Sequence, residues 1–173
     1  MTEASPGSLD GCDDAALHRL AEQVGERLRA NRHTMCTAES CTGGWIAKTI
    51  TDIPGCSDWF ECGVAAYSYE AKQALLGVRA ETLTQHGAVS RETVLEMVSG
   101  ALIASGASLA VAVTGIAGPT GGTSGKPVGE VWIGWKRRNR YPFARVFHFA
   151  GDREAVRRQT VAAALIGLLD IAD

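Results

Sequence analysis

The sequence contains no apolar run of the roughly 18 residues that crossing a bilayer requires. Its first 13 residues also lack a basic segment followed by an apolar core, which a secretory leader would show. Charge of one sign is not in excess, because 17 Lys and Arg oppose 19 Asp and Glu, for a formal net charge of −2. That balance gives no global electrostatic reason to bind nucleic acid. We therefore expect a cytoplasmic protein that has neither a membrane nor a nucleic acid as its partner.

Paired cysteines and zinc-ligand spacings are missing too. The five cysteines are odd in number, form no C-x-x-C pair and have no histidine at ligand spacing. We interpret them as reduced thiols and predict no metal site. None of the four histidines lies in a recognisable catalytic motif, so a nucleophile in this chain would need a base other than histidine.

The residues that are present predict one globular domain. A chain of 173 residues with 46% hydrophobic and 21% charged residues is long enough for a substantial core. Residues 1–12 carry proline and glycines and predict a flexible tail, which leaves 13–173 as the domain. Strands are predicted at 34–37, 63–67, 109–114, 128–135 and 144–149. Helices are predicted to begin near Asp13 or Asp14 and after Gly44, Ser68, Ser90 and Asp152. This alternation predicts a three-layer α/β/α domain with a mixed, mostly parallel sheet.

The most informative segment is residues 37–44, TAESCTGG, where the first strand gives way to a helix. We place Ser40 near the first turn of that helix, where free N–H groups and the helix dipole favour an oxyanion or a phosphate. Gly43 and Gly44 would let a ligand approach the backbone. Two alternatives stay open: the segment is only a helix cap with turn glycines, or the adjoining Cys41 is the nucleophile.

The second informative segment is residues 67–72, YSYEAK, which places Tyr67 at a strand end and Lys72 on the following helix. In isolation these residues predict a packed tyrosine and a solvated lysine. A serine nucleophile nearby favours a catalytic role for Lys72 instead, because a desolvated, neutral lysine is able to serve as the base for the serine.

A third segment, residues 115–125, holds five glycines and follows the most apolar strand. It is not a Walker A motif, because the sequence after Gly125 is Lys-Pro and leads toward a strand. Its position at the carboxyl end of a central strand is typical of a substrate loop, the alternative being a flexible connection. The basic run 136–140 is interpreted as a solvated turn between two antiparallel strands.

Four ordered motifs together resemble the CinA carboxy-terminal-domain family, and the similarity runs from about Leu17 to Leu169. The motifs are residues 38–44 (AESCTGG), 67–72 with 76–78 (YSYEAK and LGV), 114–119 with 126–129 (TGIAGP and KPVG), and 151–153 with 156–157 (GDR and VR). The resemblance implies a three-layer fold with a mixed five-stranded sheet. It also implies hydrolysis of the carboxamide of nicotinamide mononucleotide to nicotinate mononucleotide and ammonia, with no metal and no cofactor.

The resemblance further assigns the catalytic roles to Ser40, Tyr67 and Lys72. In the mechanism that follows from it, Lys72 takes the serine proton directly or through the Tyr67 hydroxyl, and helix-terminal N–H groups receive the oxyanion. The predicted substrate-binding residues are Thr42, Gly43, Gly44, Gly115, Gly118, Arg153 and Arg157.

Two of those residues have a specific expected partner. Arg153 and Arg157 are four residues apart, which predicts that both point toward the phosphate of the nucleotide, the alternative being surface ion pairing. One departure from the family pattern is Tyr69, where many relatives have asparagine. The family also suggests a homodimer. The competing functional hypothesis is a non-catalytic nucleotide-binding, competence-associated module that uses the same pocket.

Overall fold

The computed structural model describes residues 12–173 and places five strands in one sheet. The predicted tail lies outside the described residues except for Cys12, which is half-buried against the core. The strands are β1 (Met35–Glu39), β2 (Phe60–Ala65), β3 (Leu109–Gly115), β4 (Glu130–Arg137) and β5 (Phe143–His148), and their order across the sheet is β2-β1-β3-β4-β5.

The sheet is mixed, as predicted. Strand β1 pairs in parallel with β2 and β3, whereas β4 runs antiparallel to both β3 and β5. Four of the five strands therefore point in one direction, although only two of the four strand pairs are parallel. Because β1, β2 and β3 are parallel neighbours, their carboxyl ends meet at one edge of the sheet.

Helices cover both faces, which confirms the three-layer α/β/α architecture. They are α1 (Asp14–Asn31), α2 (Trp45–Thr51), α3 (Tyr69–Leu76), α4 (Ala80–His86), α5 (Arg91–Ser105) and α6 (Arg153–Ile171). One core cluster joins α1, α2 and α6 to the sheet, and a second joins α3, α4 and α5 to the opposite face. Within residues 12–173, no helix has the length and hydropathy that a membrane span requires.

Three local predictions differ from the structure. Strand β2 begins at Phe60, earlier than predicted, because a short 3-10 helix (Cys56–Asp58) follows the predicted chain break and returns the chain to the sheet. Helix α4 was not predicted, since it buries only Thr82 and Leu83 and shows no apolar stripe. Helix α2 begins at Trp45, as predicted, but Ser40 lies five residues before it and outside its first turn, because Gly43 and Gly44 adopt positive φ angles of 62° and 98° and form a tight turn after Ser40.

The position of α3 depends on a close approach to α5. A Cβ added to Gly100 of α5 would lie 1.7 Å from the backbone oxygen of Leu76, the last residue of α3. The amino end of α3 is capped by Ser68, whose hydroxyl oxygen accepts the N–H of Ala71 at 3.0 Å. Both ends of the helix that carries Lys72 are thus held in place.

Candidate active site

The three segments identified in the sequence converge at the carboxyl edge of the parallel strands. Ser40 directly follows β1, Tyr67 lies two residues beyond β2, and Gly115 ends β3. Open α/β sheets bind ligands at this edge. Residues that are far apart in the sequence therefore share one site.

Ser40 and Lys72 are in direct contact. The Lys72 Nζ lies 3.0 Å from the Ser40 Oγ, and the two residues are 0% and 8% exposed. Strand β1 positions the serine, because its N–H donates to the backbone oxygen of Val113 on β3 at 3.0 Å. A nucleophile and a base within hydrogen-bond distance are the minimum that covalent catalysis by serine requires.

The surroundings of the lysine suit a neutral amine. Its Nζ donates to the backbone oxygens of Ala66 at 2.8 Å and Tyr67 at 3.2 Å. A neutral amine has two N–H bonds for these carbonyls and one lone pair, which then faces the Ser40 hydroxyl. Burial lowers the pKa of Lys72 from its ordinary value of 10.5. Among the described residues no carboxylate forms a salt bridge with it.

Tyr67 contributes its backbone to this pair, and its hydroxyl points elsewhere. The hydroxyl oxygen accepts a hydrogen bond from Arg153 Nη2 at 3.2 Å, and the side chain is exposed. The hydroxyl makes no hydrogen bond to Ser40 or Lys72 within residues 12–173. Of the three predicted catalytic residues, Ser40 and Lys72 are thus in direct contact, and the Tyr67 side chain lies at the mouth of the site.

Glu39, the last residue of β1, is a functional candidate that the sequence reasoning missed. Its carboxylate is buried and accepts five hydrogen bonds, from Thr37 Oγ1, Thr42 Oγ1 and the N–H groups of Gly44, Ile46 and Ala47 at 2.6–3.2 Å. The N–H groups at the start of α2 are therefore occupied by a carboxylate. The expectation that they receive the substrate's oxyanion does not fit this arrangement, since a second anion beside Glu39 would be repelled.

The side chains of Cys41 and Thr42 both point into the protein. Cys41 packs in the core between the sheet and α6, and burial raises the pKa of its thiol to about 12. Almost no thiolate exists there at neutral pH, so the thiol is a poor nucleophile. The Thr42 hydroxyl is buried and donates to Glu39 at 2.6 Å. Only the backbone of these two residues is left to face a ligand.

Both predicted arginines reach this edge of the sheet, where each donates to backbone carbonyls. Arg153 Nη1 donates to the Gly118 oxygen of the glycine-rich loop at 2.9 Å. Arg157 donates through Nε to the Cys41 oxygen at 3.0 Å and through Nη2 to the Thr42 oxygen at 2.9 Å, and its guanidinium lies 5.2 Å from the centroid of the Trp45 ring. Neither arginine forms an ion pair with a carboxylate of residues 12–173.

The glycine-rich loop is anchored through Lys126, the residue that follows it. Lys126 Nζ donates to the backbone oxygens of His86 at 2.7 Å and Val89 at 2.6 Å, which ties the loop to the segment between α4 and α5. Tyr69 reaches the same segment, since its hydroxyl oxygen accepts the N–H of Ala88 at 3.3 Å. The Lys126 hydrogen bonds thus hold the loop against the segment between α4 and α5. Gly115 and Gly118 fit the close packing of the loop, because a Cβ on either would lie within 2.6 Å of a Val131 or Val128 methyl carbon.

The fold and this pair of side chains define an α/β protein with a serine–lysine site suited to nucleophilic catalysis. Residues 17–172 match the model of the CinA C-terminal domain. The chain belongs to the CinA C-terminal-domain family, which confirms the resemblance found in the sequence.

Relatives that this chain matches over almost their whole length are named as amidohydrolases. The chain is 55% identical over 152 residues to a protein of Escherichia coli strain K12 named nicotinamide-nucleotide amidohydrolase PncC, covering 88% of this chain and 92% of that protein. A Pseudomonas putida protein of the same name is also 55% identical, with 88% and 94% covered. A CinA-like protein of Endomicrobium trichonymphae is 51% identical over 146 residues, 84% of this chain, which span only 34% of that longer protein.

Solved structures share the fold. The competence/damage-inducible protein CihA of Agrobacterium tumefaciens superposes with a TM-score of 0.89 at 40% identity, covering 99% of this chain and 100% of that one. The competence damage-inducible protein A of Klebsiella pneumoniae gives a TM-score of 0.86 at 42% identity, covering 89% and 95%. The five-stranded mixed sheet is thus the family fold.

Proposed function

We propose that this protein hydrolyses the carboxamide of nicotinamide mononucleotide to nicotinate mononucleotide and ammonia, with Ser40 as nucleophile and Lys72 as general base. The observation that carries the proposal is the 3.0 Å contact between the Ser40 Oγ and the buried Lys72 Nζ. The substrate follows from the relatives named nicotinamide-nucleotide amidohydrolase, which are 55% identical and matched over almost their whole length.

The acylation step starts with neutral Lys72. Its lone pair takes the Ser40 proton while Oγ bonds to the carboxamide carbon, and the carbonyl electron pair moves onto oxygen. When the tetrahedral intermediate collapses, the C–N bond breaks and Lys72 returns the proton to the departing nitrogen. Ammonia leaves, and an ester of nicotinate mononucleotide remains on Ser40.

Deacylation reuses the same two residues. Lys72, again neutral, takes a proton from water as the water oxygen bonds to the ester carbon. The C–Oγ bond then breaks and Ser40 recovers the proton from Lys72. The product carboxylic acid loses its remaining proton to solvent water and leaves as nicotinate mononucleotide, and the enzyme returns to its starting state. The positive pyridinium ring of the nucleotide favours the neutral amine while the substrate is bound, because a neighbouring positive charge disfavours the ammonium.

The other site residues bind and orient the substrate in this proposal. Tyr67 holds Lys72 through its backbone oxygen and presents its exposed ring and hydroxyl at the mouth of the site. Of the two arginines predicted to bind the phosphate, Arg153 is the better placed. It is exposed and links Tyr67 to Gly118, whereas Arg157 has two of its N–H groups on the carbonyls of the Ser40 turn.

Ammonia release from nicotinamide mononucleotide tests the proposal. We expect activity in the wild type and in Cys41→Ala, and none in Ser40→Ala or Lys72→Met. A wild type without activity that still binds the nucleotide would support the non-catalytic module. Loss of activity in Cys41→Ala alone would make the thiol the nucleophile.

A further inference from the structure

We infer that the backbone N–H of Thr42 is the donor that stabilises the oxyanion formed on Ser40 attack, and that Arg157 is the residue that positions it. This inference rests on the proposed function, since it assigns the part of the serine mechanism that the serine–lysine pair does not supply.

Most N–H groups around the nucleophile already donate to an oxygen, and those of Cys41 and Thr42 are the exceptions among the described residues. The N–H groups of Ser40, Gly43 and Trp45 donate to the backbone oxygens of Val113, Ser40 and Thr42, and Lys48 donates to Gly44. Those of Gly44, Ile46 and Ala47 donate to the Glu39 carboxylate. The N–H of Cys41 has no oxygen acceptor among the described residues. Within residues 12–173, the N–H of Thr42 has no oxygen acceptor.

The direction of this N–H follows from peptide geometry. The Cys41 oxygen accepts from Arg157 Nε at 3.0 Å, so the Cys41 carbonyl points toward α6. In a trans peptide the following N–H points the opposite way. The Thr42 N–H is therefore directed away from the layer of α6, toward the face of the sheet on which Ser40 meets Lys72 of α3.

Arg157 is suited to fix that direction because its guanidinium is planar and grips two successive carbonyls. Its Nε and Nη2 bind the Cys41 and Thr42 oxygens, and it lies against the ring of Trp45. Two adjacent peptide units are thereby held in one orientation. Glu39 secures the same turn from the other side through the Thr42 hydroxyl. The turn reaches the transition state already oriented, which is the condition for efficient oxyanion stabilisation.

The test separates this role from phosphate binding. Arg157→Ala and Arg157→Lys are compared with Arg158→Ala, a matched control on the same helix that also lies against Trp45 but pairs with Asp14 and Glu154 instead of the turn. Turnover is measured with nicotinamide mononucleotide and with its phosphate-free nucleoside, and thermal melting confirms folding. We expect Arg157→Ala to lower kcat about 100-fold for both substrates with little change in KM. Arg157→Lys should recover part of that loss, and Arg158→Ala should stay within about twofold of the wild type.

A second readout does not depend on the nucleotide. Sulfonylation of Ser40 by phenylmethanesulfonyl fluoride, followed by the mass of the intact protein, should slow in Arg157→Ala and not in Arg158→Ala. If Arg157→Ala does not fold, Arg157→Lys carries both comparisons. A higher KM for the phosphorylated substrate alone, with kcat and sulfonylation unchanged, overturns the inference and makes Arg157 a phosphate ligand. A wild type that is sulfonylated but releases no ammonia overturns the proposed function. The roles of Thr42 and Arg157 are then tested by the sulfonylation rates alone, and equal rates in Arg157→Ala and Arg158→Ala overturn them. A wild type that does neither overturns both.

Discussion

Glu39 and Thr42 are joined by a 2.6 Å hydrogen bond from the threonine hydroxyl to the carboxylate, although both residues are buried. The carboxylate also accepts three N–H groups from the start of α2 and one more hydroxyl, so five donors surround one charged group. The charge is dispersed over a preorganised shell, and the turn that carries Ser40 is built around it. A buried charge is tolerated only when it is satisfied in this way.

Glu39→Gln replaces an acceptor by an NH2 group that must face one of these donors. We expect the free energy of unfolding to fall by about 2–4 kcal/mol, because a buried donor is left without an acceptor and a charge-assisted set of bonds is lost. Urea denaturation measures the change. Glu61→Gln is the control, since Glu61 is exposed on β2, and its effect should stay within about 0.5 kcal/mol. Equal stability of the two variants would contradict the role given to Glu39.

The pH dependence of activity reports on Lys72. Its pKa is lowered by burial from 10.5, and the neutral amine is the active form in the proposed mechanism. We therefore expect kcat/KM to rise with pH along a single limb whose midpoint lies below 10.5, and to level off above it. Lys72→Arg should be inactive at every pH, because a guanidinium does not lose its proton in this range. A limb at or above 10.5, or a profile without this limb, would remove Lys72 as the base.

The meeting of Ser40 and Lys72 was predictable in outline because of the strand order. The sequence places Ser40 just beyond one strand and Lys72 on the helix that follows another, and the carboxyl ends of parallel strands share one edge. The choice between a direct contact and one through the Tyr67 hydroxyl was not predictable, because it depends on the close packing of α3 against Gly100. Glu39 was missed for a different reason. Three of its five donors are backbone N–H groups, which leave no pattern in the side chains. The one available signal was a charged residue at the end of an otherwise uncharged strand, directly before the turn that carries Ser40.

Because α3 packs closely against Gly100, we expect Gly100→Ala to lower the stability of the protein, the reverse of its usual effect in a helix. An alanine in the middle of a helix normally stabilises it by about 0.5–1 kcal/mol relative to glycine. Here the new Cβ would lie 1.7 Å from the Leu76 oxygen, so α3 must move and the protein should lose about 1–3 kcal/mol instead. The folded variant should also be less active than the wild type, because Lys72 lies on the displaced helix. Thermal melting and ammonia release measure the two effects. Gly125→Ala is the control for the melting measurement alone, since no atom lies within 4 Å of its added Cβ.

Substitution of Lys126 tests whether the glycine-rich loop contributes to substrate binding. Lys126→Met removes the two hydrogen bonds to the His86 and Val89 oxygens while keeping the length of the side chain. The loop then loses its anchor, and we expect KM for the nucleotide to rise several-fold with a smaller change in kcat, because Ser40 and Lys72 do not contact Lys126. Lys48→Met is the control, since Lys48 is an exposed lysine paired with Asp52 on α2. Unchanged KM in Lys126→Met would indicate that the loop does not contact the substrate.

Tyr67→Phe distinguishes the two routes by which the serine proton could reach the lysine. The backbone oxygen that holds Lys72 is retained in phenylalanine, and the direct contact between Ser40 and Lys72 does not involve the hydroxyl. We therefore expect kcat to stay within about tenfold of the wild type, below the 100-fold or greater loss that removing a general acid–base group produces. KM should rise, because the Arg153 guanidinium loses its partner at the mouth of the site. Steady-state kinetics of ammonia release measures both constants, and Tyr141→Phe, a fully exposed tyrosine of the β4–β5 turn, is the matched control. A loss of kcat as large as that of Lys72→Met would place the Tyr67 hydroxyl on the proton path.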